Sequence, residues 1–255
     1  MKNTLTPLLV LALLAPTTAL AADWEERLSV ALTQGWQTQP DTWTRLEAQQ
    51  PRATRAGHLR FMGPEFNSEA ALPLALDRLA HGEEPEPVRA ALADVVGRFS
   101  ADWGDALVEL LAEEPAGSVR AVLVLGLRGV AADEAEAGFT IALRDSHAEV
   151  RQVAALTVAR RADGAVVAPA LVDSLSDPSA AVRAAAAQSL GVVGDAQATD
   201  ALLPLLSDAD ASVRLRALSA LDRLDRSALS APQLRTLSAD ADSRVARRAS
   251  KLLAQ

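Results

Sequence analysis

Arginine and carboxylate side chains recur along this sequence at a fixed distance from each other. A Val-Arg pair occurs five times, and an acidic residue stands five positions before each of its valines and before Val245, where Ala246 replaces the arginine. A guanidinium can form two parallel hydrogen bonds with either a carboxylate or a phosphate, so the chemistry is ion pairing or anion binding. The arginines are Arg89, Arg120, Arg151, Arg183 and Arg214, and the acidic residues are Glu83, Glu114, Asp145, Asp177, Asp208 and Asp240.

We interpret this set as a structural ladder. A carboxylate in a turn can cap the amides that open the following helix, where the helix dipole also favours negative charge. The arginine can then reach a carboxylate of its own repeat or of an adjacent one. A phosphate-binding stripe is the alternative, but carboxylates at the matching spacing leave little free positive potential. The predicted ladder includes Asp145, Arg151, Asp177, Arg183, Asp208 and Arg214.

The elements that position these residues repeat along the chain. Successive valines of the motif, from Val88 to Val245, are 31, 31, 32, 31 and 32 residues apart. A fixed period of this size is the signature of a solenoid of stacked supersecondary units. Apolar residues three and four apart predict a helix A in each unit, as in 105–112, 165–175 and 199–206, and a helix B that begins near each Val-Arg pair. The predicted fold class is all-α.

The motif resembles the HEAT repeats, specifically the short HEAT-like repeats found in bilin lyases. The resemblance covers residues 77–255 well and 23–76 weakly. It implies an α-solenoid, a right-handed superhelix of antiparallel helix pairs, in which an acid–arginine ladder joins the repeats and the B helices line the concave side. The period of about 31 residues is shorter than in the longer members of that family. The matching residues are Asp145/Val150/Arg151, Asp177/Val182/Arg183, Asp208/Val213/Arg214 and Leu190-Gly191.

The N-terminal 80 residues are predicted to hold a signal peptide and a cap. A positive Lys2, an apolar run at 8–15 and small residues at 19–21 occur in the order of a secretory signal. We therefore predict that residues 1–21 are cleaved and that the protein is exported to the bacterial periplasm or outside the cell. Residues 22–80 are predicted to form an N-terminal cap with a divergent first repeat, continuous with a repeat array over 81–255. Their three tryptophans would close the stack, although an aromatic ligand site is the alternative.

Composition and motifs favour a non-catalytic protein without a cofactor or metal. The three histidines, His58, His81 and His147, have no metal-ligand spacing, and no nucleophile elbow, phosphate loop or dinucleotide motif occurs. The formal net charge of −8 argues against a nucleic-acid partner. The absence of cysteine excludes lipid attachment at the cleavage site. Similarity to bilin lyases or to HEAT-like alkylpurine DNA glycosylases would imply tetrapyrrole attachment or base excision, but both act on intracellular substrates, which the signal peptide contradicts.

The predicted binding surface is the side of helix B that faces away from the core. With the valine of each repeat at position 0, positions +2, +3 and +6 project to that side at 100° per residue. We predict a monomeric, exported scaffold or adaptor, with no transmembrane segment after cleavage, that binds a protein or peptide there. An accessory lyase-like protein, or a binder of an anionic envelope polymer, is the alternative. The predicted site residues are the apolar Val122, Leu125, Val153 and Leu156 and the basic Arg216, Arg247 and Arg248.

The four apolar residues leave two interpretations open. A contiguous exposed apolar patch usually marks an interaction site. Tight stacking of alanine-rich repeats would instead pack these side chains against neighbouring B helices. Two interpretations also remain for the C-terminal cations. They either belong to the binding surface or are solvated lysines and arginines on the outer side of a terminal helix, where such residues are common.

Overall fold

A computed structural model of the chain describes residues 72–82, 84–98, 101, 103–161 and 163–254. These residues form twelve α-helices with 3₁₀ segments between some of them, and no strand occurs within these ranges. Helices A and B alternate and pack in pairs, which confirms the predicted all-α solenoid of helix pairs. The predicted signal peptide and all but the last part of the predicted cap lie outside the described residues. The chain divides into two compact units, Met1–Gly129 and Val130–Gln255.

Unit 1 (Met1–Gly129) contains two helix pairs among its described residues. Its two B helices, α2 and α4, lie side by side and approach most closely at two glycines. A Cβ added at Gly126 would lie 2.6 Å from the Cα of Gly97, so Gly126 has no room for a side chain, and a Cβ at Gly97 would lie 3.1 Å from the Cα of Gly126. The helices are α1 (Leu72–His81), α2 (Glu86–Arg98), α3 (Gly104–Glu113) and α4 (Gly117–Gly126). Helix α1 continues past residue 80, where the predicted cap ends. The predicted division into a cap over 22–80 and a repeat array over 81–255 stays a prediction.

Unit 2 (Val130–Gln255) contains four helix pairs, and its B helices α6, α8, α10 and α12 pack side by side in chain order. The helices are α5 (Ala132–Ala142), α6 (Ala148–Val158), α7 (Ala168–Asp173), α8 (Ala180–Val193), α9 (Thr199–Leu202), α10 (Ala211–Leu224), α11 (Ala231–Ser238) and α12 (Ser243–Leu253). The valine at position 0 and the alanine at +4 of each of these B helices are fully buried. Small core residues allow neighbouring helix axes to come close, which fits the short repeat.

Two contacts show how closely these B helices pack. A Cβ added at Gly191 on α8 would lie 2.7 Å from the Cα of Ala220 on α10. On the other side of α8, the buried hydroxyl of Ser189 donates a 2.6 Å hydrogen bond to the backbone oxygen of Ala155 on α6. The backbones of neighbouring B helices therefore constrain which side chains fit between them.

Two of the predicted A helices are not continuous α-helices. Residues 164–176 form a 3₁₀ turn, the short α7 and a second 3₁₀ turn, and residues 199–207 form the short α9 followed by a 3₁₀ segment. Pro169 lies in the first turn of α7 and Pro204 in the first turn of the segment Leu203–Ser207. Proline lacks the N–H of the helical hydrogen bond and clashes with the carbonyl four residues earlier, so the helix must begin or tighten there. Helix α3, which has no proline, runs close to its predicted limits.

Candidate partner-binding face

Each bidentate arginine–carboxylate pair joins the start of one B helix to the turn of the next repeat. Arg183 donates from Nε and Nη2 to the two carboxylate oxygens of Asp208, both at 2.8 Å. Its Nη1 donates to the backbone oxygen of Asp177, the acidic residue of its own repeat, at 2.8 Å. The arginine thus contacts its own repeat through a carbonyl and the next repeat through a carboxylate. Pairs with this bidentate geometry include Arg89–Glu114, Arg151–Asp177, Arg183–Asp208 and Arg214–Asp240.

The acidic residues of these pairs stabilise the turn and do not cap the helix amides, contrary to the prediction. Asp208 accepts a 2.8 Å hydrogen bond from the amide of Asp210, which stands immediately before α10. The amides that open α10, those of Ser212 and Val213, donate instead to the carboxylate of Asp210 at 2.7 and 3.2 Å. A carboxylate five positions before the valine lies too early in the turn to reach those amides while it pairs with an arginine.

The arginines of the ladder lower the pKa of Asp177, Asp208 and Asp240. The hydrogen bonds from Arg183 hold the pKa of Asp208 below its usual value, against the opposing effect of burial. Burial acts to raise the pKa of Asp177, but the hydrogen bonds from Arg151 and from the Ser179 amide outweigh it, and the pKa is lowered. The four bidentate arginines are only 12% to 18% exposed. They are therefore occupied by carboxylates and do not form a free phosphate-binding stripe.

The four predicted apolar site residues are half-buried. Val122 and Leu125 lie on α4 of unit 1, and Val153 and Leu156 lie on α6 of unit 2. The two pairs therefore belong to separate compact units. Within the described ranges, the large apolar side chains that are exposed are Ile141, Val192 and Leu253.

Position +3 lies beside the neighbouring B helix and is not fully open to solvent. Ala185, at +3 of α8, is 3% exposed, whereas the long side chain of Arg216 at the same position of α10 is exposed. In unit 1, Asp94 at +6 of α2 is buried and accepts a 2.6 Å hydrogen bond from Arg98. Residue size and local pairing, as well as helix phase, therefore decide which side chains of these rows reach solvent.

Four exposed cations on α10 and α12 form what we call the basic face, defined as Arg216, Arg223, Arg247 and Lys251. In the part of the chain that the structure describes, none of the four forms an ion pair; Arg247 donates from Nε to the backbone oxygen of Ser243 at 3.1 Å. They occupy positions +3 and +10 of α10 and +2 and +6 of α12, which lie within an arc of about 100° on a helix. The basic face is therefore a set of cations on two adjacent helices that point to the same side.

The predicted site residue Arg248 is not part of the basic face, because a carboxylate neutralises it. Its Nη2 donates to Asp222 Oδ2 on α10 at 2.7 Å, and the other carboxylate oxygen of Asp222 lies 4.0 Å from Arg226 Nη1. Arg244, also on α12, pairs with Asp242 at 2.9 Å. Sequence reasoning missed Arg223 because it considered only the rows +2, +3 and +6. Position +10 lies seven residues after +3 and so falls on the same side of the helix.

Apart from Asp222, which pairs with Arg248, the side chains beside the basic face are neutral or apolar. Val192, at +10 of α8, is 47% exposed, and Leu215 on α10 is half-buried. Gln188 and Ser219, at +6 of α8 and α10, are half-buried and uncharged. Positions −1, +2, +3 and +6 of α8, α10 and α12, and position +10 of α8 and α10, contain no acidic residue. This side of unit 2 therefore combines free positive charge with some apolar surface.

Two further observations concern metals and membranes. Within residues 72–254, apart from the few that are not described, no group of three or more His, Cys, Asp or Glu side chains could hold a metal ion. No helix of the same ranges is both long enough and apolar enough to span a bilayer. His147 is exposed, and its Nδ1 lies 3.0 Å from the hydroxyl of Ser146.

Comparison with known proteins identifies the repeats. The family profile described as HEAT repeats matches residues 104–190 and 168–254, which together span more than half of the chain. A computationally designed armadillo repeat protein for modular peptide recognition is 20% identical with a TM-score of 0.50, covering 72% of this chain and 98% of that chain. A designed armadillo repeat protein in complex with the peptide (KR)4 is 21% identical with a TM-score of 0.50, covering 73% and 99%. No curated protein matches the chain.

Proposed function

The chain belongs to the HEAT-repeat family, and from this premise we propose that it is a scaffold that binds a protein or peptide partner on the exposed side of its unit 2 B helices. The basic face is the observation that carries this proposal. Exposed like charges on adjacent helices repel one another, so they add nothing to folding stability. A partner of complementary charge can use them for recognition and for rapid association.

The solved structures support the proposal only through their fold. One of the similar designed proteins was made for modular peptide recognition and another is in complex with a peptide, so stacked helical repeats of this kind can hold a peptide. We propose a non-catalytic role for the present chain. The exposed side of α8, α10 and α12 carries arginine, lysine, glutamine, serine and apolar side chains, without a histidine or carboxylate placed to activate a nucleophile.

We also propose that the scaffold acts after export, in the periplasm or outside a bacterial cell. The support for this is the order of charge, apolar run and small residues in the first 21 positions. An exported scaffold would meet its partner outside the cytoplasm.

Site-specific photo-crosslinking in the cells that produce the protein tests both parts of the proposal. A benzoylphenylalanine replaces Gln188 or Ser219, which border the basic face, and Thr236 on α11 serves as the exposed control. We expect one partner, identified by mass spectrometry, to be captured from the first two positions and not from Thr236. Cell fractionation then shows where the crosslinked product and the processed chain are found.

Three results would count against the proposal. Capture from Thr236 but not from Gln188 or Ser219 would place the binding surface elsewhere. The absence of any reproducible protein partner at normal expression would reject a stable protein-binding scaffold. Recovery of an unprocessed chain in the cytoplasm would reject export while leaving the binding surface intact.

A further inference from the structure

We infer that the partner segment recognised by the basic face is an acidic peptide with apolar side chains among its carboxylates. This inference rests on the proposed function and specifies the chemistry of the partner. Arg216, Arg223 and Arg247 each present a planar guanidinium, a group that can bind a carboxylate through two parallel hydrogen bonds. Lys251 adds a fourth positive charge.

The spacing of these cations suits several carboxylates on one segment. Arg216 and Arg223 are seven residues apart on α10, which corresponds to about 10 Å along the helix axis. Arg247 and Lys251 are four residues apart on α12, or about 6 Å. Alternate residues of an extended peptide are about 7 Å apart, so a segment with carboxylates two or three residues apart can reach more than one of these cations.

The protein itself already places a carboxylate next to this surface. Asp222 on α10 accepts from Arg248 on α12 at 2.7 Å and lies 4.0 Å from Arg226. This internal pair shows that a guanidinium of α12 can engage a carboxylate on the neighbouring helix. The cations of the basic face are the same kinds of side chain on the same two helices, without such a carboxylate within the described ranges.

The surroundings favour a peptide over a nucleic acid or an anionic membrane. Val192 and Leu215 offer apolar surface beside the cations, and an acidic peptide with apolar side chains can use both features. Phosphate recognition depends mainly on many cationic contacts, whereas the basic face has four cations on a chain of net charge −8. The basic peptide in complex with one of the similar designed proteins would be repelled by this face.

Fluorescence anisotropy with labelled peptides tests the inference on the full chain. The acidic probe is the peptide EELEELEE, and the comparison probes have Gln or Lys in place of every Glu. We expect the acidic probe to bind more tightly than the Gln probe, and the Lys probe not to bind. The double variant Arg216→Glu/Arg247→Glu should weaken binding of the acidic probe by about tenfold, as expected when two exposed ion pairs are lost. Arg235→Glu, an exposed position on α11, is the matched control and should bind like the native chain.

The outcomes separate this inference from the proposed function. Equal or tighter binding of the Gln or Lys probe would overturn the acidic specificity and leave peptide binding intact. Tighter binding to phosphatidylglycerol vesicles or to single-stranded DNA, weakened by the same double variant, would overturn the peptide as the partner. If no probe binds, the acidic-peptide inference fails, and the crosslinking experiment alone decides the proposed function. Circular dichroism of each variant confirms that a lost signal does not come from unfolding.

Discussion

Replacement of Arg183 by methionine provides a direct test of the ladder. The side chain of Arg183 makes two 2.8 Å hydrogen bonds with the carboxylate of Asp208 and a third with the backbone oxygen of Asp177. Methionine keeps part of the apolar stem and removes the charge and all of these donors. The variant Arg183→Met therefore separates packing of the stem from pairing of the guanidinium.

The expected loss follows from the burial of the pair. Removing one partner of a fully buried pair costs about 3–5 kcal/mol, whereas an exposed pair contributes about 0.2–1 kcal/mol. Arg183 and Asp208 are 18% and 11% exposed, so the pair stands closer to the buried limit. Asp208 retains its hydrogen bond from the Asp210 amide in the variant. We therefore expect Arg183→Met to lower the free energy of unfolding by about 2–3 kcal/mol.

Urea denaturation followed by circular dichroism at neutral pH measures this loss. The matched control is Arg244→Met, because Arg244 is 55% exposed and pairs only within its own turn, with Asp242. Its expected cost is well below that of Arg183→Met, because solvent screens an exposed pair. A double-mutant cycle with Asp208→Asn should give a coupling energy of at least about 1 kcal/mol. A coupling near zero, or equal losses for Arg183→Met and Arg244→Met, would refute the ladder as a source of stability.

Two further predictions concern acid and packing. The pKa of Asp208 is lowered in the folded chain, so the stability that its charge contributes is present above the unfolded pKa of about 3.9 and is lost as the pH falls toward the folded pKa. In the variant Asp208→Asn, the free energy of unfolding should therefore fall less steeply with acid. An unchanged fall would contradict this assignment. Gly191→Ala should lower the melting temperature, because its Cβ would lie 2.7 Å from the Cα of Ala220. Without that clash, alanine would stabilise the helix by about 1 kcal/mol, so a raised melting temperature would reject close packing of α8 and α10.

The fold could be predicted from the sequence because its signal is repeated. A period of 31 or 32 residues requires the same unit to stack on itself, and the buried valine of each unit marks the start of helix B. The same reasoning did not give the internal structure of the A helices. Pro204 has no counterpart in the other repeats, and Pro169 recurs at its repeat position only as Pro232, so the repeat pattern predicts neither interruption. Their local effect on the backbone outweighs the apolar spacing of three and four.

The candidate face was predicted less completely because helix phase is only one of the factors that set exposure. Helix phase places position +3 toward solvent, but Ala185 is buried there, whereas Arg216 at the same position of α10 is exposed. Close packing of neighbouring B helices, as between Gly191 and Ala220, is a further factor that helix phase alone does not reveal. Arg248 could have been identified as paired, because it follows Asp222 by 26 residues, the same separation that joins Arg214 to Asp240 in the ladder.

Arginine serves two different purposes in this chain, and its position on helix B and the carboxylates near it decide which one applies. At +1 it lies beside the turns, where a backbone carbonyl of its own repeat and a carboxylate of the next repeat fix it; at +2, +3 and +10 the arginines of the basic face lie away from those turns. Because the arginines of the ladder are paired with carboxylates, the number of basic residues in these repeats exceeds their free positive charge. The basic face lies on α10 and α12, so a partner that recognises it would engage the C-terminal repeats. Removing cations there should change binding and leave the ladder intact, whereas changes in the ladder should affect stability first.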